Sequence, residues 1–384
     1  MIIHNSPLIT MKVFINIARV FVGVLFIFSG LIKANDPLGL SYKMQEFFEV
    51  WGWNNLNDYT LALSIIMNVF EVMAGLALII GWNMKLISRL LLLLIIFFTF
   101  LTGYALLSGK IKTCGCFGDC LPLTPLQSFL KDLLLLLLII IILVKHKLVK
   151  PIFNNMGSYV ILLVGIISIS WMQGFALKHL PFVDCLPYKK GNNILEQMKV
   201  PEGALPDSFS MTFRYKKNNK TVEFDQNNFP ADFDSTYVFV DRYDKLIRKG
   251  NALPAIMDFA LRSVTGTDTT KDILNSEGYY VMYMIKEFTE GIAWRNDAVS
   301  KIEQACKAKN ISLFYVTADP EKAKQVFGDA IADHILVCDA TVIKTAARAN
   351  PSYIIMQGAV VKGKYSYADA DKALVAVNGI AAAK

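Results

Sequence analysis

The sequence predicts an α-helical membrane bundle followed by a soluble α/β domain, with a β-rich region connecting the two. Three observations favour this fold class. The 384 residues are 54% hydrophobic and only 18% charged, and the long apolar segments all lie before residue 180. The stretch that follows is polar and rich in turn residues, whereas segments typical of strands and helices alternate from about Pro254 onward.

Five apolar segments approach or reach the roughly 20 residues that are needed to cross the hydrocarbon of a bilayer. They cover residues 13–32, 61–80, 90–107, 133–144 and 159–177, and the fourth reaches that length only if it starts near Leu126. The first has no small-residue cleavage site and further spans follow it, so we expect it to stay in the membrane rather than act as a signal peptide. The first four spans form a predicted domain over residues 11–150, and the fifth occupies residues 151–180.

Basic residues predict the orientation of this bundle. The loops on one side carry lysine and arginine without neighbouring acids, namely Lys12, Lys85, Arg89, Lys145, Lys147 and Lys150. Because such loops stay in the cytoplasm, the chain after residue 178 is expected in the periplasm of a bacterium whose cytoplasmic membrane holds the spans. The basic residues behind the net charge of +7 are scattered and form no basic arm, so nucleic acid is not an expected partner. The spans and the outer location of the soluble half make the bilayer and a periplasmic protein the expected partners.

Two predicted regions make up the soluble half. Residues 181–252 should be β-rich, with a hairpin of Phe209–Tyr215 and Thr221–Phe224 and a further strand near Tyr237–Val240. Residues 253–384 should form the α/β domain. Its predicted elements are a hairpin of Phe259–Val264 and Thr270–Ile273, strands Tyr279–Ile285 and Ile311–Val316, helices Trp294–Lys309 and Pro320–Phe327, and a hairpin of Ser352–Met356 and Ala359–Gly363.

The strongest chemical signal is a loop between the third and fourth spans with the sequence Cys114-Gly-Cys116-Phe-Gly-Asp-Cys120. Its glycines permit a tight backbone, so that one sulfur can meet either neighbour, as exchange through a mixed disulfide requires. A Cys-x-Cys bridge would close a small strained ring that is easily reduced. Cys185, just beyond the fifth span on the same side, could pair with or resolve a loop cysteine.

Three interpretations of these four cysteines are open. In an oxidising compartment they favour thiol–disulfide chemistry, in which Cys114 and Cys116 exchange and Cys120 and Cys185 resolve or relay. Static structural disulfides are the second interpretation. A zinc site is the third, but Cys-x-Cys is shorter than the usual spacing of structural zinc sites, so no metal is assigned.

Two ionisable residues, Arg19 and Glu71, lie within predicted spans, where a lone charge costs at least a few kcal/mol. We expect them to face the interior of the bundle and to pair with each other or with a cofactor. They therefore predict either a structural ion pair or a quinone or proton path, although nothing in the sequence requires a cofactor. Lys33 and Asp132 lie near helix ends and are expected only to reach the interface.

A set of residues in the first four spans carries a family resemblance. These residues are Arg19, Phe28-Ser-Gly30, Leu31-Ile-Lys33-Ala-Asn-Asp-Pro37, and Glu71 with Gly75 and Gly81. With them, residues 11–150 resemble the DoxX family of four-helix membrane proteins. The segments Cys114-Gly-Cys-Phe-Gly118 and Phe129-Leu-Lys-Asp132 are similar to the branch typified by the methylamine-utilisation protein MauE, and the fifth span with its large outer domain resembles DoxX-type proteins of Bacteroidetes. The resemblance implies a redox-associated role in the cytoplasmic membrane, in electron transfer with quinones or in maturation of disulfide-bearing periplasmic proteins.

The segments Phe259–Asp272 and Asn350-Pro351 carry a second resemblance, to the introductory hairpin and the usually cis proline of the thioredoxin-like fold of the TlpA and peroxiredoxin type. In that family the proline faces a Cys-x-x-Cys, but this chain has Glu290-Gly-Ile-Ala-Trp294 there and no cysteine. The domain therefore lacks the low-pKa thiolate at a helix N-terminus that performs exchange. It is predicted to be a binding module, in which Pro351 either shapes a groove for an extended peptide or forms a plain structural turn.

Two functions follow from these features. In the first, the loop cysteines exchange electrons between the membrane and a periplasmic thiol protein that the thioredoxin-like domain holds, and an enzyme of this kind would be a thiol–disulfide oxidoreductase. In the second, the protein is a non-catalytic scaffold, an assembly or secretion subunit whose outer domain docks a partner and whose cysteines are structural. The absent Cys-x-x-Cys favours the second. Cys306 and Cys338 are predicted to be small core residues, and a disulfide or a remote redox role is the alternative.

Overall fold

The computed structural model describes residues 7–111, 115–205, 208–218, 220–225, 228–248, 250, 253–290, 294 and 296–381. Five of the described helices are long and apolar enough to cross a membrane: α1 (Pro7–Asn35), α3 (Thr60–Ile80), α4 (Met84–Ser108), α5 (Pro125–Val144) and α6 (Asn155–Lys178). They contain the five predicted spans, which confirms a multi-pass membrane protein. The sequence did not predict α2 (Pro37–Trp51), whose 15 residues are too few to span a bilayer.

Local sequence explains several helix ends. Asp36 caps α2 by accepting a hydrogen bond from the Gly39 amide at 3.1 Å. Thr124 and Gln127 form a reciprocal capping box at the start of α5. Gly81 ends α3 in the left-handed conformation, with φ of 76°. Thr124 thus fixes the start of α5, where the cysteine loop ends.

Glycine lets α1 and α3 approach each other closely. A Cβ added to Gly23 would lie 2.8 Å from the carbonyl oxygen of Gly75, and one added to Gly75 would lie 2.6 Å from the carbonyl oxygen of Gly23. Gly30 likewise faces Val72, whose Cγ2 would lie 2.6 Å from an added Cβ. Small residues pack membrane helices in this way because backbones must come close for van der Waals contact. The close approach also brings the polar side chains of α1 and α3 together.

The connecting region contains a short helix, α7 (Ile194–Gln197), and an antiparallel sheet. The sheet consists of β1 (Ser208–Lys217), β2 (Lys220–Asp225) and β3 (Val238–Arg248), in the order β2-β1-β3. The predicted hairpin and the further strand are confirmed. Aromatic rings cluster on this sheet, and those of Tyr215 and Phe233 lie 5.0 Å apart.

The C-terminal region contains a six-stranded sheet with helices on both faces. Its strands are β4 (Arg262–Ser263), β5 (Tyr279–Ile285), β6 (Ser312–Thr317), β7 (Ile335–Val337), β8 (Ser352–Gln357) and β9 (Val360–Ser366), in the order β4-β7-β6-β5-β8-β9. Its helices are α8 (Thr270–Leu274), α9 (Asp297–Ala308), α10 (Pro320–Phe327), α11 (Ala340–Ala346) and α12 (Ala370–Asn378). Strand β5 pairs in parallel with β6 and antiparallel with β8. Its residues alternate between two separate cores, which explains its uninterrupted apolar sequence.

Two sequence predictions need correction in this region. Thr270–Ile273 was predicted as a hairpin strand but lies in helix α8, because Asp268 accepts a hydrogen bond from the Thr270 amide and turns the chain. Helix α9 begins at Asp297 rather than Trp294, because the Asn296 side chain accepts from the first free amides of that helix. Helices α11 and α12 were not predicted.

Candidate functional site

The cysteine loop follows α4 and packs against α1. Phe117 is buried, and its ring centroid lies 5.6 Å from that of Phe28 on α1. Gly115 and Gly118 have φ of 72° and 54°, a conformation that favours glycine, and the Gly118 amide donates to the Gly115 carbonyl at 3.0 Å. The expected tight backbone is therefore present. Cys114 lies outside the described residues.

Cys120 and Cys185 form a disulfide, with their Cα atoms 4.8 Å apart. Cys120 belongs to the loop between α4 and α5, and Cys185 follows α6, so the bond ties the cysteine loop to the start of the soluble half. Asn35 strengthens this connection, because its side chain donates to the Val183 carbonyl at 2.8 Å and accepts from the Val183 amide at 3.0 Å. The structure thus pairs Cys185 with a loop cysteine. Electron exchange by these residues stays a prediction.

Cys116 lines a cavity of about 180 Å³ between α1, α2, α3 and α4. Most of its walls are aromatic or aliphatic, formed by Leu40, Met44, Phe47, Phe48, Trp51, Leu63, Met67, Phe97, Phe98 and Leu101. The polar groups along it belong to Ser29, Lys33, Lys43 and Lys131. A cysteine of the loop therefore borders a mainly apolar space in the bundle that lysine side chains also line.

Glu71 forms an ion pair with Lys33, and both side chains are buried, with 0% and 3% of their surface exposed. The Ser29 hydroxyl lies 2.9 Å from the Glu71 Oε2 and 3.0 Å from the carbonyl oxygen of Cys116. Its single proton can serve only one of these acceptors at a time. The buried ion pair is therefore linked through one hydroxyl to the backbone of the cysteine loop.

Arg19 lies apart from this group, so the expected Arg19–Glu71 pair is wrong. Its Nη1 donates to the Leu78 carbonyl at 3.5 Å, and its Nε has no hydrogen-bond partner among the described residues. Lys33 is 14 positions later on α1, which corresponds to about 20 Å along a helix. Lys33, expected only to reach the interface, supplies the counter-charge of Glu71 instead.

Asp132, also expected to reach the interface, is fully buried at the head of α5. Lys131 contacts its carboxylate at 2.6 Å, and the Thr102 hydroxyl donates to it at 3.1 Å. The Lys131 ammonium also lies 5.2 Å from the centre of the Phe117 ring, a distance typical of cation–π contact. These contacts join α4, α5 and the cysteine loop on the cavity side.

The C-terminal domain contacts the membrane bundle directly beside the cysteine loop. Arg348, 4% exposed, donates from Nε to Asp36 and from Nη2 to Asp119, both at 2.8 Å. The Lys286 ammonium donates to the Tyr42 hydroxyl at 3.3 Å, and burial lowers the pKa of Lys286 to about 8. Lys286 directly follows β5, and Arg348 lies shortly before β8. The end of the sheet at which these two residues lie therefore faces the bundle.

Pro351, the predicted partner-binding residue, is buried three positions after Arg348, and the Asn350–Pro351 peptide bond is cis. The Asn350 side chain accepts a hydrogen bond from the Lys286 amide at 2.9 Å. Trp294, which ends the segment without cysteines, is buried and packs against Phe288 with ring centroids 5.3 Å apart. The structure therefore brings Pro351 to the end of the sheet that faces the bundle.

The two remaining cysteines lie in the cores, as predicted. Cys306 is buried on α9 and Cys338 is buried after β7. Burial raises the pKa of each thiol to about 12. Both therefore stay protonated near neutral pH and are poor nucleophiles.

Replacing Arg348 by alanine should loosen the contact between the two halves. The carboxylates of Asp36 and Asp119 would lose their counter-charge, which costs about 3–5 kcal/mol for a buried pair and less here because Asp119 is 52% exposed. Hydrogen exchange of the full chain in nanodiscs should show faster exchange in α2 and α11. Arg262→Ala, at an exposed position of the same domain, is the control. Equal exchange in both variants would contradict the role of Arg348.

Comparison with known families gives two matches. Residues 11–145 match the family described as Methylamine utilisation protein MauE, and residues 209–249 match a Domain of unknown function, DUF8463. Searches of curated proteins and of solved structures found no match. Together with the five apolar helices, the first match supports a MauE/DoxX-like multi-pass membrane protein, which is consistent with a redox-associated role in the membrane.

Proposed function

We propose that this MauE-like membrane protein transfers electrons between a thiol protein outside the cytoplasmic membrane and the membrane itself, through Cys114 and Cys116. One observation carries the proposal. Cys116 lines the apolar cavity of the bundle, while Asp119 of the same loop contacts the soluble half. The loop thus borders both the apolar interior of the bundle, where electrons would be accepted, and the soluble half, on whose side the thiol partner would lie.

In the proposed step, a thiolate of the partner attacks a disulfide between Cys114 and Cys116 and forms a mixed disulfide. The second thiol of the partner then displaces the loop, so the partner gains a disulfide and the loop holds two thiols. Two electrons and two protons leave the loop for an acceptor in the membrane. Cys120 and Cys185 are already joined to each other, so their proposed relay role requires that bond to open first.

A quinone is the acceptor that we propose, and the cavity residues fit it. The aromatic and aliphatic walls suit a flat apolar ring, and the Lys33 ammonium, which has protons beyond the one that Glu71 accepts, offers a donor for its oxygen atoms. When bound, a quinone would supply the sink for two electrons. Glu71 holds Lys33 in place, whereas Arg19 is not among the residues that line the cavity. The proposed cofactor site therefore uses Glu71 through Lys33.

We also propose that residues 253–384 are a thioredoxin-like domain without an exchanging dithiol. Support comes from the central strand β5 between parallel β6 and antiparallel β8, and from helix α9, which follows β5 where that fold places its first active helix. A periplasmic location of this domain is supported by the basic loops on the other side of the bundle. The disulfide between Cys120 and Cys185 also supports it, because such bonds persist in oxidising compartments.

A non-catalytic scaffold is the second candidate, and the same disulfide favours it. The Cys120–Cys185 disulfide and the Arg348 ion pairs both fix the soluble half to the bundle. Structural cysteines with this role are what the scaffold hypothesis predicts. In that case the partner docks on the outer domain and no electrons move. The redox behaviour of the loop separates the two candidates.

The relay predicts that quinone oxidises the loop thiols. The full chain in nanodiscs is treated with a mild reductant, the reductant is removed, and alkylation with mass spectrometry follows Cys114 and Cys116 over time. We expect reoxidation at least about tenfold faster in nanodiscs that contain ubiquinone or menaquinone than in matched nanodiscs without quinone. Loop thiols that stay reduced with quinone, or that never become reduced, would reject the relay.

A further inference from the structure

The cavity beside Cys116 is small for the molecule that we propose to bind there. Its volume of about 180 Å³ lies below the range of about 300–1,000 Å³ that is typical of sites enclosing a drug-sized ligand. A membrane quinone carries a long isoprenoid tail besides its ring. A cavity of this size holds the ring but not the tail, so the tail must leave the cavity between the surrounding helices.

Two residues that line the cavity also reach the outer surface of the bundle. Leu63 on α3 and Phe97 on α4 are each 43% exposed. Both helices are long and apolar enough to cross a membrane, so the surface beyond these two side chains faces lipid. The cavity therefore reaches the lipid-facing surface at Leu63 and Phe97. We call this place, together with Phe48 and Trp51 of α2, the lateral opening.

The lateral opening lies in the hydrocarbon rather than at the membrane surface. Leu63 lies three positions after the start of α3, and Phe97 lies 11 positions before the end of α4. These separations correspond to about 5 Å and about 16 Å along the helices. Because the hydrocarbon core is about 30 Å thick, Phe97 lies near its middle and Leu63 lies nearer to the end that carries the cysteine loop. A molecule that passes here comes from the bilayer.

Helix α2 covers the lateral opening and is held by polar contacts on one side only. Toward α3, the Ser64 hydroxyl donates to the Pro37 carbonyl at 2.7 Å. Toward α4, the Trp51 ring packs edge-on against Tyr104, with ring centroids 5.5 Å apart. No hydrogen bond or ion pair joins α2 to α4 among the residues that the structure describes. The two helices can therefore separate at the lateral opening without breaking a polar contact.

We propose that the lateral opening binds the isoprenoid tail of the quinone whose ring lies in the cavity, and that the ring enters from the bilayer by this way. Aromatic and aliphatic side chains on three helices offer the tail apolar surface to pack against. This inference rests on the proposed quinone acceptor. It adds the path by which the acceptor enters and the part of the acceptor that supplies affinity.

A phospholipid fits the same surface less well. Its acyl chain matches the lateral opening, but its charged head group stays at the membrane surface and leaves the cavity around Cys116 unfilled. The walls of an unfilled cavity lose van der Waals contacts. A quinone fills the cavity with its ring and the lateral opening with its tail. One molecule thus accounts for both spaces.

Photolabelling tests the tail site without electron transfer. The full chain in nanodiscs is irradiated with a ubiquinone whose tail carries a diazirine, and peptide mapping locates the adducts. We expect adducts at the lateral opening, and excess unlabelled ubiquinone should suppress them at least about tenfold because both compete for one site. A ring analogue with a methyl group in place of the tail should compete less well. Adducts that ubiquinone does not suppress, or that the ring analogue suppresses equally, would overturn the tail site.

Leu63→Trp fills the lateral opening with a larger side chain. We expect it to lower the labelling, and the rate at which ubiquinone reoxidises the reduced loop, at least about tenfold, while the rate with the ring analogue changes less than about twofold. A normal rate with the ring analogue also shows that the bundle is intact. Ile66→Trp, at a 64% exposed position of α3 that does not line the cavity, is the matched control and should change neither.

The outcomes separate the tail site from the proposed function. Unchanged labelling in Leu63→Trp, or equal slowing with ubiquinone and the ring analogue, would contradict a tail at the lateral opening. If the wild type is labelled there but its loop thiols stay reduced with every quinone, the electron transfer fails and the tail site stands. If both quinones oxidise the loop but no labelling occurs at the lateral opening, the tail site fails and the electron transfer stands.

Discussion

Replacing Cys114 and Cys116 together by serine is expected to abolish the oxidation of thiols by quinone, lowering the rate at least about 100-fold, because a serine hydroxyl cannot form the mixed disulfide. No other described cysteine is suited to substitute. Cys306 and Cys338 are buried with thiol pKa values raised to about 12, and Cys120 is joined to Cys185. Oxidation of a dithiol peptide by the full chain in quinone-containing nanodiscs measures the effect.

Two controls give this experiment its meaning. Cys306→Ala removes a cysteine from the core of the soluble domain and should leave the rate unchanged. The pair Cys120→Ser/Cys185→Ser removes the bond that holds the loop to the soluble half, and we expect slower but measurable oxidation. If the Cys114→Ser/Cys116→Ser protein inserts normally and keeps the wild-type rate, the scaffold replaces the relay as the function.

The sequence predicts the spans because a helix that crosses a bilayer needs about 20 consecutive apolar residues, and such runs can be counted along the chain. It does not predict α2, which has 15 residues and mixes polar with apolar positions. That omission explains the error at Lys33. Two residues from the end of α1, a lysine is expected to reach water, but α2 and the cysteine loop line the cavity beside it, so its ammonium turns to Glu71. Span lengths alone cannot show what covers a helix end.

In the soluble half, too, local sequence predicts the strands but not the contacts between residues that are distant in the chain. Strand β5 and the hairpin of β8 and β9 follow from apolar runs and a Gln357-Gly358 turn, which are local signals. Arg348 contacts Asp36 and Asp119 at separations of 312 and 229 positions. No local pattern encodes such a contact. The contact between the soluble half and the bundle therefore emerges only when both halves are placed together.

Replacing Glu71 by glutamine is expected to destabilise the bundle by about 3–5 kcal/mol, because the Lys33 side chain is 3% exposed and would lose the counter-charge of its buried ion pair. Thermal unfolding in nanodiscs, followed by tryptophan fluorescence, measures this change. Lys33→Met/Glu71→Gln removes both charges and should recover most of the stability, since a buried ion pair can often be replaced by uncharged groups of similar size. Lys43→Met, on α2 and partly exposed, is the matched single-charge control. A Glu71→Gln protein as stable as the wild type would contradict a buried ion pair.

The double variant also separates structure from chemistry. If Lys33 donates to a quinone in the cavity, Lys33→Met/Glu71→Gln folds but oxidises thiols more slowly, because the apolar walls remain while the cationic donor is lost. If the pair only holds α1 against α3, restored stability brings a restored rate. The direct reaction of the reduced loop with a small disulfide should be unchanged in either case, since that step uses the cysteines alone. A loss confined to the quinone-dependent step therefore assigns Lys33 to the acceptor side of the loop.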